Sequence, residues 1–321
     1  MNDFAAALLA GLARRPRRIP CRFLYDAAGS ALFERITGLE TYYLTRAETA
    51  LLGRAGPAVA AMVGPGATVV EPGAGAMRKT RLLLAALERA RAYVPVDVAG
   101  GFVRAAASRL AAERPDLAVV PVVADFTRLL PLPPLARAEP VLVFFPGSTI
   151  GNLAPAQAVR FLARMAAIAG PCGWVLVGVD PVHDRDRLLA AYDDAEGLTA
   201  AFMRNLLRRA NRDLGAGFDP QAFDHRVRWN ADAGRIEHRL VCRRAQKVTV
   251  AGRSFHFRRG EAIHAEDCHK YPPAHFHRLA ARAGLRPAAT WLHGEGLFSL
   301  HLLRPQCHGE IVPAPTGAAS P

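Results

Sequence analysis

The sequence predicts an open α/β sheet protein with a second, α+β lobe, and three observations carry that prediction. From residue 67 onward, apolar β-rich runs alternate with amphipathic helical stretches, the order that builds a parallel sheet with helices on both faces. Beyond Asp180 the rhythm changes to short strands with turn signals between them. After residue 271 one helix and two strand-like runs suggest a return to the first sheet.

Taken in order, MNDFAAALLAGLARRPRRIP reads as a short first helix, because its apolar stretch precedes its basic cluster, the reverse of a secretory signal. Residues 67–71 (ATVVE) lead into the Gly-rich PGAGA and a helix over about 78–91, and 93–97 (YVPVD) end in an acid before a helix over 102–114. Further strands are expected at 117–123, 141–145 and 174–180, with a helix from Pro155 to Ala169 whose proline suits a first turn. That makes five consecutive parallel strands. Phe202, Leu206 and Ala210, with Met203 and Leu207 beside them, form a stripe at helical spacing that reads as core. Residues 225–265 read as antiparallel strands, 273–283 as a helix, and 286–292 and 296–303 as the returning strands. The expected organisation is one domain at 47–180 plus 271–304, a second lobe at 1–46 plus 181–270, and a disordered Pro/Gly/Ala/Ser-rich tail at 305–321.

Composition narrows the classes. Hydrophobic residues make up 51% and charged residues 21% of the 321, which excludes wholesale disorder. No run reaches the ~18 apolar residues of a spanning helix. The net charge is +13, yet Lys79, Lys247 and Lys270 are the only lysines among 41 basic residues. Only Arg14, Arg15, Arg17 and Arg18 cluster tightly, so the charge reads as a solvated surface, not a nucleic-acid groove. Five cysteines without C-x-x-C spacing argue against a disulfide framework and fit a reducing cytoplasm. A zinc site from His264, Cys268, His269, His275 and His277 has the right residue types but no known ligand spacing, so no metal is expected.

The chemistry-bearing motif is a strand, a Gly-rich turn, a helix, and a strand ending in an acid, the local logic of an adenosine site. Glu71-Pro-Gly73-Ala-Gly75 supplies the turn and Asp97 the acid for ribose hydroxyls. A dinucleotide site wants a small residue where Arg78 stands. The acid before the turn suits S-adenosylmethionine instead, since its carboxylate can face the cofactor's aminoacid ammonium. Asp125 and Phe126, after the next strand, sit where an acid meets the adenine amino group with an aromatic alongside.

Several blocks then carry a family resemblance: residues 23–48 (FLYDAAGSALFERITGLETYYLTRAE), RKTRLLL, YVPVDV, GSTIGNL at 147–153, 187–207, FDHRVRWN, RIEHRL and GEAIHAEDCHKY. Together, from about Ile19 to Leu303, they resemble the histidine-specific S-adenosylmethionine-dependent Nα-methyltransferases of ergothioneine biosynthesis. The resemblance implies a Rossmann-like class I methyltransferase sheet with a substrate lobe, converting histidine in three methylations to hercynine. It implies cofactor contacts at Gly73, Lys79, Asp97, Asp125 and Phe126. It further implies that Asn152 and Tyr192 grip the substrate's aminoacid end, with the Gly147 carbonyl and Tyr42 near the amine. Tyr42, Asn152 and Tyr192 would then be the catalytic set, and Tyr25, His238, Glu266 and Cys268 would surround the imidazole. A monomer acting on a small amino acid, without nucleic-acid or membrane partners, is expected.

The sequence also departs from the family pattern. GAGAM replaces a hydroxyl-rich turn, so Ala76 and Met77 lack side-chain donors, and Leu44 stands for a proline. Position 238, usually Met, is His, and position 268, usually Ser, is Cys. The last two touch the imidazole pocket, so an indole amino acid is the alternative substrate, and a nucleic-acid methyltransferase a more distant one.

Overall fold

The computed structural model describes residues 3–128 and 130–306. In chain order, α1 (Asp3–Ala13), β1 (Arg17–Arg18), α2 (Ala27–Ile36) and the long α3 (Tyr43–Val63) come first. The alternating stretch follows as β2 (Thr68–Pro72), α4 (Arg78–Ala86), β3 (Ala92–Asp97), α5 (Gly100–Glu113), β4 (Ala118–Val119), β5 (Val122–Val123), β6 (Val141–Phe145), α6 (Pro155–Ala169) and β7 (Trp174–Val179). Then come α7 (Arg185–Tyr192), α8 (Leu198–Leu214), β8 (Phe223–Asn230), β9 (Arg235–Cys242), β10 (Gln246–Val250), β11 (Arg253–Phe257) and β12 (Ala262–His269). The helix α9 (Pro273–Ala281) and the strands β13 (Leu285–Leu292) and β14 (Ser299–Pro305) end the described chain.

The main sheet has the order β13-β14-β7-β6-β2-β3-β4, with β5 also on β3. Its strands from β2 to β7 pair in parallel, and every residue of β2, β6 and β7 is buried, as a sheet covered on both faces requires. The sequence order reverses between β2 and β6, and the carboxyl ends there open a crevice. The returning strands form an antiparallel edge, β14 against β7 and β13 against β14. One expected strand differs: 117–123 is split into β4 and β5. Pro121 sits between them and has no N–H to give to a ladder.

A second sheet, β1-β12-β9-β8, faces that crevice, and β10 and β11 form a separate hairpin. The Phe202, Met203, Leu206, Leu207 and Ala210 stripe of α8 is buried in the core, as its spacing predicts. Three sequence expectations need correction. The break between 46 and 47 falls inside α3, which runs unbroken from the second lobe toward the main sheet. Pro305 ends β14 opposite Leu285, so the sheet extends one residue past the expected boundary, and 307–321 lie outside the described residues. Arg17 is 2% exposed and is not part of a surface patch. Its guanidinium donates to Glu261 (2.6 Å), the Leu12 carbonyl (2.9 Å) and the His256 carbonyl (2.6 Å), 4.2 Å from the Phe257 ring centre.

Candidate active site

A cavity of about 450 Å³ lies between the carboxyl ends of the parallel strands and the second sheet, and all thirteen residues expected at the site line it. Those from the carboxyl ends of β2, β3 and β5 form one wall, and those from the turn after β6 with β9 and β12 form the other.

At the first wall, Asp97 ends β3 and is held in place from both sides. Its Oδ2 accepts from the Gly75 N–H (3.1 Å) and its Oδ1 from the Ala99 N–H (2.9 Å), which fixes the carboxylate while leaving lone pairs for hydroxyls. Asp125 spends Oδ1 on the Thr127 N–H and hydroxyl (2.9 and 2.6 Å). Its Oδ2 is buried and makes no hydrogen bond among the described residues, but it is ion-paired to Arg22 Nε (3.4 Å) and Arg128 Nε (3.6 Å). An oxygen that these cations reach only at ion-pair distance can still accept a hydrogen bond, and an exocyclic adenine amine is a donor of the right kind. The Phe126 ring packs edge-on to Phe145 and Phe161 beside it. These residues therefore fit an adenosine moiety.

Glu71, at the end of β2, is 1% exposed, and its Oε2 accepts from the Thr80 and Tyr93 hydroxyls. Burial pushes its carboxyl up to about 7, against the pull of those two donors. Lys79 does not reach freely into the cavity, because it is ion-paired to the buried Glu48 of α3. Both Glu48 oxygens also accept from the Gly147 N–H, at 2.8 and 2.9 Å.

The second wall is built by a turn pressed onto a strand. Residues 149–152 form a 3-10 turn, and a Cβ on Gly151 would meet the His269 carbonyl at 2.5 Å, so only glycine allows that approach. His269 Nδ1 bonds the Gly151 carbonyl at 2.9 Å, and Asn152 Nδ2 then donates to Glu266 Oε1 at 3.1 Å. The residue expected to grip the amino-acid end is thus joined directly to the one expected to face the imidazole. Burial pushes the Glu266 carboxyl up to about 8, and burial first, then the Glu266 charge, raises the Cys268 thiol. The Tyr25, Tyr42 and Tyr192 hydroxyls are likewise raised by burial, so they act as neutral O–H groups. Tyr42 and Tyr192 meet edge to face at 6.0 Å.

Four residues without an expected role brace this site, and one of them, Lys270, lines the cavity. Glu48 clamps Lys79 and Gly147 as described. Asp180, Lys270 and Tyr43 form a buried knot: Lys270 Nζ donates to Asp180 Oδ2 and to the Tyr192 hydroxyl (both 2.6 Å), and the Tyr43 hydroxyl donates to Asp180 Oδ2 (2.8 Å). The polar termination of an apolar strand at Asp180 was the available signal; its partners lie 137 and 90 positions away in sequence. The five-residue zinc reading does not come together. His277 bonds Thr290 and His301, His264 pairs with Asp267, and His269 is held by Gly151.

A parallel sheet with reversed strand order, an acid closing β3 and another after β5, opening on a second polar wall, fits an S-adenosylmethionine-dependent methyltransferase. Comparison with known proteins gives its kind. Residues 4–305 match the family described as histidine-specific, SAM-dependent methyltransferases, and the chain belongs to that family. It is 42% identical over 299 residues to the histidine N-alpha-methyltransferase of Mycolicibacterium smegmatis, covering 91% of this chain and 92% of that one. The corresponding protein of Mycobacterium tuberculosis is 39% identical over 297 residues, with the same coverage of 91% and 92%. Ergothioneine biosynthesis protein 1 of Neurospora crassa is 32% identical over 304 residues, which span 90% of this chain and 33% of that protein.

Proposed function

We infer that the protein methylates the α-amine of L-histidine, up to the trimethylated betaine hercynine, as the first step of ergothioneine biosynthesis. The observation that carries this reading is the single cavity in which the Asp97 and Asp125 wall faces the Asn152–Glu266 pair. S-adenosylmethionine, when bound, supplies a methyl group on a sulfonium. The protein's task is then to present a neutral amine lone pair in line with that methyl, more than to provide a strong base.

Asn152 and Tyr192 hold the substrate's aminoacid end. Because the Tyr192 oxygen accepts from Lys270, its own hydrogen is left to donate, which suits a carboxylate oxygen. Lys270 Nζ already sits 4.4 Å from the centre of the Tyr192 ring, so the Tyr42 ring is the better face for a methylated ammonium. Such a contact is worth roughly 0.5–2 kcal/mol. Burial in this cavity disfavours the charged amine and eases loss of its proton before transfer. Glu266 and Asn152 then fix the imidazole relative to the amine.

This reading includes action as a monomer in the cytoplasm on a free amino acid. The free thiols of Cys21, Cys172, Cys242 and Cys268 support a reducing compartment, and local pairing of arginines, such as Arg81 with Glu113 and Arg114 with Asp116, supports an ordinary solvated surface. No described helix is long and apolar enough to cross a membrane.

Mass spectrometry of the purified protein with S-adenosylmethionine and each of the twenty amino acids is expected to show mono-, di- and trimethylated histidine. Preference for tryptophan, or no product from histidine, would overturn the substrate assignment.

Cofactor affinity is expected to depend on pH through Glu71. In the free protein this carboxyl holds a proton below about 7, whereas a cationic aminoacid group beside it favours the ionised form. Binding therefore releases a proton, and affinity rises as pH climbs through that value. Calorimetry across that range should show the rise in the wild type and its loss in Glu71→Gln; an identical profile in both would remove Glu71 from the site.

A further inference from the structure

His238 and Cys268 converge on one point of the cavity. His238 and Glu266 are directly opposite each other across the β9–β12 ladder, and Cys268 follows Glu266 by two residues, so all three side chains share one face of the sheet. Their Nε2 or Nδ1, carboxylate oxygen and Sγ atoms lie within 4.8 Å of one another, and none of the three residues is more than 6% exposed. We propose that His238, Glu266 and Cys268 form a zinc site whose open fourth position takes an imidazole nitrogen of the substrate. The part concerning substrate rests on the histidine reading above; the metal site does not.

The donor set is the first argument. Imidazole, carboxylate and thiolate are the ligands zinc takes, and three protein ligands with one open position is the arrangement of a site that binds a further molecule. Bonds of about 2.0–2.3 Å in a tetrahedron put donors roughly 3.3–3.8 Å apart, so closure requires side-chain shifts of about 1 Å.

The second argument is an unpaired atom. His238 Nε2 is buried without a hydrogen-bond partner among the described residues, while its Nδ1 lies 2.9 Å from His225 Nε2. With the proton on Nδ1 donated to His225, the Nε2 lone pair is free and held in direction, which is how a partner hydrogen bond orients a metal-bound imidazole. The two rings are 9° from parallel planes, and Asp193 Oδ1 stands 3.8 Å beyond His225 Nδ1.

Charge is the third argument. A zinc ion with one thiolate, one carboxylate and neutral imidazoles carries no net charge, which suits a buried position, and the nearby Lys270 is already paired to Asp180. On binding, Zn²⁺ replaces the thiol proton of Cys268, which leaves to solvent together with any proton on Glu266. The thiolate pair then bonds the metal, and no oxidation or reduction occurs. The substrate ring adds as a neutral donor through one nitrogen. Its α-amine is left free for methyl transfer.

Cobalt(II) titration of the metal-stripped full chain tests the site without reference to activity. The wild type is expected to bind one equivalent, with a thiolate-to-cobalt charge-transfer band and the intense visible bands of four-coordination, and zinc should displace it. Cys268→Ser, which preserves shape, should lose the charge-transfer band, and His238→Met should abolish four-coordinate binding. His225→Gln should weaken cobalt binding by about 10–100-fold. No band in the wild type, or a band unchanged in Cys268→Ser, overturns the metal site. Added histidine should shift the visible bands, whereas alanine, which lacks the ring, should not; bands indifferent to histidine overturn imidazole ligation alone. A chain that binds cobalt in this way but methylates another amino acid keeps the metal site and refutes the histidine reading.

Discussion

Asp180→Ala is expected to destabilise the protein by about 3–5 kcal/mol, the cost of leaving a buried charge without its partner. Asp180 is fully buried, and its Oδ2 receives Lys270 Nζ and the Tyr43 hydroxyl while its Oδ1 receives the Val182 N–H at 3.0 Å. Among the described residues, removing it leaves the Lys270 ammonium, itself 2% exposed, with only the Tyr192 hydroxyl as a hydrogen-bond partner. Urea denaturation should show a lower midpoint with an unchanged slope. The double variant Asp180→Ala/Lys270→Met should recover a large part of the loss, because the penalty belongs to the stranded cation and not to the missing contact. If the single change cost under about 1 kcal/mol, the knot would have to be hydrated and the burial argument would fail.

Asn152→Ala should lower kcat/KM for histidine by about 100-fold, with kcat falling as well as KM rising. In the proposed reading its bond to Glu266 joins the two halves of the substrate pocket, so its removal loosens the amine and the imidazole together. Misalignment of a reacting amine acts on the transition state, which is why the loss must appear in kcat. Wild-type kinetics in a folded Asn152→Ala protein would refute its assignment to the substrate grip.

The fold was legible because its signals are local. An apolar run, a Gly-rich turn and a helix can each be read within ten or twenty residues, and the acid closing 93–97 marks a strand end by itself. Position in a three-dimensional cluster was not legible in that way. Glu48 sits in a strongly patterned block, yet nothing in YYLTRAE says that its carboxylate passes between α4 and the turn after β6. Asp180 reads as the polar end of a strand, and Lys270 as one of three lysines; their pairing depends on β7 and the residue after β12 meeting in space. Arg17 was misread for the same reason, since a basic neighbourhood in sequence does not reveal a buried guanidinium with three acceptors. The His238–Glu266 juxtaposition needs the ladder register, which includes an irregularity between His264 and Glu266 that no alternation pattern announces.

The Glu48 clamp has a consequence for which sequences this fold can reach. A Cβ added to Gly178 in β7 would lie 2.2 Å from Glu48 Oε1, inside the space the carboxylate occupies. The smallest possible change at 178 therefore forces the Glu48 carboxylate to move off its clamp, and shortening the acid releases both Lys79 and the Gly147 N–H. The two positions are therefore coupled, and a change at either one disturbs the anchor of the turn after β6. Mutational scanning should find both positions intolerant, and Gly178 intolerant even of alanine, on a strand whose other buried positions accept aliphatic exchange.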